Sequence, residues 1–138
     1  MTYERAQDVV AWHRHILGAT TGGAAKVKSI AAIPSADELE EQLYMIVERT
    51  IGGATKQYVE FLEKAFDQAK GDVPKDAFFV DSGLTYDDPT TAVTSVSGLD
   101  HLEGESVRIL ADGANHPNKT VSSGAVTLER SANTVHVG

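Results

Sequence analysis

A seven-residue segment of the form T-x-G-G-A-x-K occurs twice, at residues 20–26 and 50–56. Each copy lies between runs in which apolar and polar residues alternate, which is the pattern of a β-strand. Glycine has no Cβ, so a Gly-Gly pair accepts the positive φ angles of a tight two-residue hairpin turn. The repeat therefore predicts that the first half of the chain is built from antiparallel hairpins.

The alternating runs define four predicted strands, Val9–Leu17, Lys26–Ile33, Gln42–Ile51 and Thr55–Glu63. A helix over Asp37–Arg49 is the rival interpretation, because its acidic beginning has high helix propensity. Strand is preferred for Leu43–Ile51, since apolar residues there fall mainly on one face. Ser35–Glu41 is predicted as a polar loop, with a short helical turn as the alternative. The four strands predict an antiparallel meander over residues 1–64, about the size of one four-stranded propeller blade.

The pattern changes after this meander. Residues 65–77 mix charged residues with Gly and Pro and are predicted as a linker. Residues 78–138 are predicted to form a small all-β domain, a sandwich or a barrel, because short apolar runs alternate with turn residues. The predicted strands there are Phe78–Val80, Thr91–Ser97, Glu105–Ala111, Thr120–Ser122, Ala125–Arg130 and Thr134–Val137. Predicted turns between them include 81–83, 87–89, 112–113, 115–118 and 123–124.

Composition narrows the classes of function. The chain of 138 residues has 12 basic and 20 acidic side chains, a formal charge of −8, which argues against a surface that grips duplex nucleic acid. It has no cysteine, so disulfides and thiolate metal sites are excluded. The sequence shows neither a secretory signal at its start nor an apolar run long enough to span a bilayer. Both ends lie close to strand patterns, which predicts a fragment of a longer protein.

Candidate metal ligands are few. His13 and His15 would share one face of a strand and could hold zinc or copper if a third ligand converged, but packing of that face against a neighbour is the preferred interpretation. Loop carboxylates could bind calcium, although their spacing lacks the EF-hand order and turn formation explains them more simply. These carboxylates are Asp81, Asp87, Asp88, Asp100 and Glu103.

Candidate catalytic and sugar-binding groups are equally sparse. No G-x-S-x-G segment or full phosphate-loop pattern is present, and no pair of carboxylates stands out for glycoside hydrolysis. Trp12, Tyr44, Tyr58 and Phe61 are predicted as core or interface residues, with a sugar platform as the alternative. The sequence therefore predicts no catalytic, cofactor or metal site and no enzyme activity.

Several longer segments resemble a known family of viral proteins. They include residues 11–15, 48–53, 56–60 and 78–86, followed by 97–104, 110–113 and 135–138. In this order they resemble the central part of tail nozzle or hub proteins of short-tailed phages and related prophages, also called stabilisation proteins or tail tubular protein B.

The resemblance implies a virion structural protein, made in the bacterial host cytoplasm, that contacts copies of itself and other tail proteins. Members of this family form rings, commonly of six copies, and carry propeller-like β platforms with inserted small β domains. The expected function is thus a non-catalytic segment of a phage tail nozzle. The alternatives are a carbohydrate- or receptor-binding module of a tail tip and, in a third class, a hydrolase with an acidic pair.

Overall fold

The computed structural model describes residues 2–4, 9–11, 14–19, 24–34 and 41–138. This part of the chain is all-β, with antiparallel strands and three single-turn 3-10 helices, Gln68–Lys70, Pro74–Asp76 and Asp100–Leu102. The strands are β1 (Thr2–Glu4), β2 (Val9–Ala11), β3 (Lys26–Pro34), β4 (Glu41–Ile51), β5 (Ala54–Phe61), β6 (Leu84–Asp87), β7 (Val93–Ser97), β8 (Ser106–Ala111), β9 (Ala114–Thr120), β10 (Ala125–Ala132) and β11 (Thr134–Val137). They form four sheets in the orders β1–β2, β3–β4–β5, β6–β11–β8–β9 and β7–β10.

The second Gly-Gly segment forms the predicted hairpin. Ile51 at the end of β4 pairs with Ala54 at the start of β5, so only Gly52 and Gly53 lie in the loop. Their φ angles are 58° and 79°, and positive values at both central positions define the type I′ turn that suits the twist of a hairpin. The first Gly-Gly pair falls within residues 20–23, which lie outside the described residues.

The first predicted strand is wrong at residues 14–17, and residues 12–13 lie outside the described residues. Residues 14–19 form no strand, and β2 pairs with β1 instead of with β3. The backbone of residues 17–18 makes other hydrogen bonds instead of pairing in a sheet. Leu17 O accepts from Ala25 N–H, and the backbone of Gly18 bonds to the side chains of Arg49 and Asp81. The described sheet of the first half therefore has three strands, where four were predicted. The likeness to a propeller blade stays a prediction.

The helical alternative for the third run is wrong where it can be compared. Residues 41–51 are all strand, since both edges of β4 are paired, with β3 on one side and β5 on the other. Alternation of its apolar residues outweighed the helix propensity of its acidic beginning. Glu41, predicted to end the polar loop, begins β4, and residues 35–40 lie outside the described residues.

Two sheets of the second half pack around a common core. Side chains from the β6–β11–β8–β9 sheet and from the β7–β10 pair bury one another together with the turn around Leu99. This core consists of Val96, Leu99, Leu102, Val107, Ile109, Ala111, Val121, Val126, Leu128, Ala132, Val135 and Val137. Of the two predicted alternatives, a sandwich or a barrel, the two-layer arrangement resembles the sandwich.

Strand β11 is buried on both faces. Val135 and Val137 point into the common core, while His136 on the opposite face lies under the segment that was predicted as a linker. His136 Nε2 donates to Lys75 O at 2.7 Å, and the ring of Phe78 meets the His136 ring edge-on at 5.4 Å. Residues 65–77 thus carry two of the 3-10 turns and cover β11. The division into two domains at this segment stays a prediction.

Three predictions in the second half are wrong. Thr120–Ser122 is not a strand of its own, because Thr120 ends β9 and Ser122 forms only an isolated bridge with Ala125. Phe78–Val80 is not a strand, and β6, which pairs with β11, was not predicted. Residues 115–118 were predicted as a turn but lie inside β9. Pro117 is tolerated because β9 is an edge strand whose register with β8 shifts between Val107 and Ile109, so a missing N–H breaks no ladder there.

Candidate functional site

A buried arginine joins the first sheet to the second half of the chain. Alternation along β4 places Val47 and Arg49 on one face of the β3–β4–β5 sheet, which we call the inner face. Arg49 is only 2% exposed. A guanidinium this deep is stable only when its donors are satisfied, so its partners identify the contact between the two halves.

The Arg49 side chain uses all five of its N–H donors. Nε and Nη2 donate to the two carboxylate oxygens of Glu60 at 2.7 and 2.6 Å. Nη1 and Nη2 donate to the two oxygens of Asp81 at 3.0 and 2.7 Å, and Nη1 also donates to Gly18 O at 2.6 Å. Both carboxylates are held in bidentate geometry, which suits the planar guanidinium. We call Arg49, Glu60, Asp81 and Gly18 the Arg49 cluster.

Electrostatics within the Arg49 cluster favour the charged forms. Burial alone raises the pKa of Asp81, but hydrogen bonds from Arg49 and the Gly18 N–H, with the Arg49 charge, bring it below its ordinary value of 3.8. Burial alone lowers the pKa of Arg49, and the bonds to Glu60 and Asp81 more than offset this and raise it. The cluster therefore acts as a fixed structural contact, with every donor of the cation occupied.

The loop that presents Asp81 is held tightly. Ser82 has a φ of 54°, and its carbonyl accepts a hydrogen bond from His101 Nε2 at 2.7 Å. A Cβ on Gly83 would lie 2.4 Å from Val80 Cγ2 and 2.7 Å from Val137 O, so only glycine fits. Backbone and packing together fix the direction of the Asp81 carboxylate.

The opposite face of the first sheet, the outer face, is apolar and open to solvent. Pairing places Tyr44 beside Phe61 and Ile46 beside Val59, with Ile33 on the neighbouring strand. The exposed fractions are 45% for Ile33, 37% for Ile46, 76% for Val59 and 47% for Phe61. We call these five residues the outer patch. Contiguous exposed apolar side chains on a sheet make this face a candidate contact surface.

A cleft of about 750 Å³ lies along the free side of β5. One wall is the continuous run 58–63, and the facing wall is 78–85. The lining is completed by Met45 of β4, by His101 and by residues 15–17. Phe79 is 80% exposed and Leu62 52% exposed, so the cleft is largely apolar and accessible.

The histidines and carboxylates considered from sequence do not converge. His13 lies outside the described residues, and His15 is exposed. In the described ranges, no three or more histidine, aspartate or glutamate side chains gather as metal ligands. The carboxylates make separate local contacts: Asp88 accepts from Thr90 and Thr91, Asp87 accepts from Thr134, and Glu103 accepts from the N–H groups of Ser123 and Gly124.

The aromatic residues divide between the two faces. Tyr44 and Phe61 form a tilted pair on the outer face, with ring centroids 5.8 Å apart. Tyr58 lies on the inner face with its ring 6.1 Å from the His101 ring. Trp12 lies outside the described residues.

Sequence reasoning missed the Arg49 cluster. A signal for it existed, because Arg49 is the single charge among Leu43, Met45, Val47 and Ile51 on one face of a strand. A cation on an apolar face requires acidic partners. Which carboxylates supply them could not be predicted, since Asp81 lies 32 residues away.

No protein-family model matches the sequence, and no curated protein matches it. Within the part of the chain that the structure describes, no helix is long and apolar enough to cross a membrane.

Proposed function

We propose that this protein is a structural component that works through protein–protein contacts, without catalysis, as a segment of a phage tail nozzle or hub. The observation that supports this proposal is the outer patch. Four of its five side chains are more than a third exposed, although they are large and apolar. Covering such side chains with a partner removes apolar surface from water and drives association.

Within the described residues, little of the first sheet is buried. Val47 and Arg49 are the buried residues of β4, and every residue of β3 is exposed. A three-stranded sheet with little burial gains much of its stability from packing against another element. A subunit of a larger assembly would supply that element.

Charge is compatible with a conduit for DNA. The net charge of −8 repels the phosphate backbone, so nucleic acid would pass such a surface without sticking. Many proteins act through contacts alone. The charge and the family resemblance are the two reasons to propose a phage tail segment in particular.

The ring pair of Tyr44 and Phe61 raises the alternative of a carbohydrate- or receptor-binding module. Sugar platforms combine a ring with hydrogen-bonding groups beside it. The neighbours of this pair in the outer patch are Ile33, Ile46 and Val59, which offer no side-chain hydrogen bonds. The patch therefore fits an apolar protein surface better than a glycan.

Sedimentation velocity over a range of protein concentrations tests the contact role. We expect the protein to self-associate, and we expect Ile46→Lys to abolish the association by placing a charge in the outer patch. Gln57→Lys is the matched control, because Gln57 is exposed on the same face outside the patch. A protein that stays monomeric, or that associates equally well as Ile46→Lys, contradicts self-association through this face.

Mass spectrometry of purified virions tests the phage assignment. Virions released by a lysogen that carries this gene should contain the protein in a fixed ratio to the portal protein. Its absence from intact virions would refute the tail assignment even if the protein self-associates.

A further inference from the structure

We propose that the free edge of β5 accepts an extended segment of another protein, which adds to the sheet as a new strand and fills the adjoining cleft. The segment carries lysine or arginine between alternating apolar residues. This inference extends the proposed contact role to a second surface. It depends on backbone groups at a strand edge, whereas the contact role depends on the side chains of the outer patch.

Among the described residues, no backbone hydrogen bond uses the groups on the side of β5 that faces away from β4. Leu62 N–H donates to Leu43 O at 2.8 Å, which makes these two residues a hydrogen-bonded pair. Such pairs alternate along an antiparallel ladder, so Glu60 and Tyr58 also face β4. The N–H and C=O groups of the intervening residues Val59 and Phe61, and of Gln57 further along, point away from β4. Among the described strands, none pairs with this edge of β5.

The edge of β5 is suited to pairing, in contrast to the other edge of the same sheet. β3 has a register shift between Val27 and Ser29 and ends in Pro34, and both features discourage strand addition. The register of β5 with β4 continues without a shift from Phe61 to Ala54. A regular, unprotected edge is the geometry that β-augmentation uses.

The cleft supplies room and apolar contacts for the side chains of an added strand. Its volume of about 750 Å³ lies in the range of binding sites that enclose a ligand. Leu62 and Phe79 stand on facing walls and are both more than half exposed. Side chains of an extended segment alternate, so every second residue would pack between these walls.

The charge of the cleft indicates which kind of segment binds there. Three carboxylates line the cleft, those of Glu60, Glu63 and Asp81, and among the described residues no lysine or arginine lines it. Arg49 forms ion pairs with two of them, Glu60 and Asp81. The three carboxylates and this one guanidinium together still carry a net negative charge. A basic segment is therefore attracted. A second copy of this chain is disfavoured, because it is acidic overall and would bring Glu60 and Glu63 of both copies to one seam.

Amide hydrogen exchange followed by NMR, with a panel of blocked heptapeptides, tests the proposal. The peptides have apolar residues at alternate positions and lysine, serine or glutamate between them. We expect a lysine peptide to slow exchange at Gln57, Val59 and Phe61 by at least about tenfold, because each amide gains an acceptor. Tyr58 and Glu60 are internal controls, since their amides already bond to β4. Glutamate peptides should bind at least about tenfold more weakly than lysine peptides.

A pair of variants at Val59 separates the contribution of the backbone N–H to peptide binding from that of the side chain. Val59→Pro removes an outward N–H while leaving the bonds to β4, and Val59→Ala removes a similar part of the side chain but keeps the N–H. Peptide binding should fall at least about tenfold in Val59→Pro and should persist in Val59→Ala.

Distinct results would overturn the inference. If no peptide of the panel protects the three outward amides of the wild-type protein at about 1 mM, the edge is not an acceptor. Protection that glutamate peptides give equally well refutes the basic occupant. These results do not depend on whether Val59→Pro folds, and Ile46→Lys, which tests the outer patch, should leave peptide protection intact.

Discussion

At the scale of single residues, Arg49 carries the contact between the two halves. One cation bridges a carboxylate on the neighbouring strand and a carboxylate on a loop 32 residues further along the chain. Because all five donors are used, the cluster fixes the position of the Asp81 loop against the first sheet. Lysine could not replace this arrangement, since a single ammonium group cannot make two bidentate contacts.

Replacing Arg49 should destabilise the protein substantially. Arg49→Met keeps the length of the side chain but leaves Glu60 and Asp81 facing each other without a cation. We expect a loss of about 2 to 3 kcal/mol in the free energy of unfolding, moderated by the partial exposure of Asp81. Urea unfolding followed by circular dichroism measures it. Arg108→Met is the control, because Arg108 is exposed and contacts Asn118 at 3.2 Å, and it should change stability by less than about 0.5 kcal/mol.

The lowered pKa of Asp81 predicts a dependence of stability on pH. A carboxyl whose pKa is lower in the folded state than in the unfolded state stabilises the fold above its unfolded pKa, and this contribution is lost as pH falls through the folded value. We therefore expect the wild-type protein to lose stability below about pH 4 more steeply than Asp81→Asn, which has no proton to gain there. Thermal unfolding of both proteins from neutral to acidic pH measures the difference. Parallel curves would show that Asp81 is not the group responsible.

At the scale of elements, three two-residue turns of the same kind organise the hairpins. Gly52-Gly53, Asp112-Gly113 and Ser123-Gly124 each have positive φ at both positions. The glycine at the second position of each turn has different surroundings. Nothing lies within 4 Å of a Cβ built on Gly53, whereas a Cβ on Gly113 would be 2.9 Å from Pro74 Cβ and 3.0 Å from Lys75 N.

This difference predicts unequal costs for the same substitution. Gly53→Ala should cost about 1 kcal/mol, because the left-handed backbone conformation alone is strained. Gly113→Ala should cost more, since the new methyl group also pushes against the segment that covers β11. Chemical denaturation of the two variants compares them. Equal costs would indicate that residues 74–75 yield without resistance.

Sequence patterns predicted the elements whose signals are local. The strand β4, the Gly52-Gly53 turn and β11 follow from alternation and from glycine at positions of positive φ. The all-β class follows from the same signals. The predicted strand Val9–Leu17 is correct at Val9–Ala11 and wrong at residues 14–17, because a single run cannot show where its strand ends or which strand it pairs with.

The remaining features depend on contacts distant in sequence. The sequence predicts a turn at Pro117, yet this residue occupies an edge strand at a shift of register, which only the order of strands reveals. His116 beside it is buried, and the burial is tolerated since its Nε2 accepts from Glu129 N–H on β10. For the outer patch, alternation along β4 and β5 predicts two faces of the first sheet but does not show which face stays exposed. That depends on where the second half packs.

At the scale of the whole molecule, burial is unevenly distributed. All twelve residues of the hydrophobic core come from residues 96–137. In the described part of the first half, Val47 and Arg49 are the buried residues. Since burial of apolar surface is the main source of folding free energy, the second half should hold most of the stability.

This distribution predicts that residues 65–138 fold alone, whereas residues 1–64 do not. The longer piece keeps the complete core and the Pro74–Phe78 cover over His136. It loses the bonds of Arg49 and Gly18 to Asp81 and a few peripheral contacts with the first half, which are those of Ile51 with the core, Tyr58 with His101 and Lys64 with Asp72. Heating it should give one cooperative transition, at a lower temperature than in the whole protein because the bond network around Asp81 is gone. A piece beginning at residue 78 is the matched comparison, and it should melt lower still, since His136 then loses its acceptor at Lys75 O. If residues 65–138 melt without cooperativity while the whole protein melts in one step, the first sheet is part of the folding unit, and the division at residues 65–77 fails.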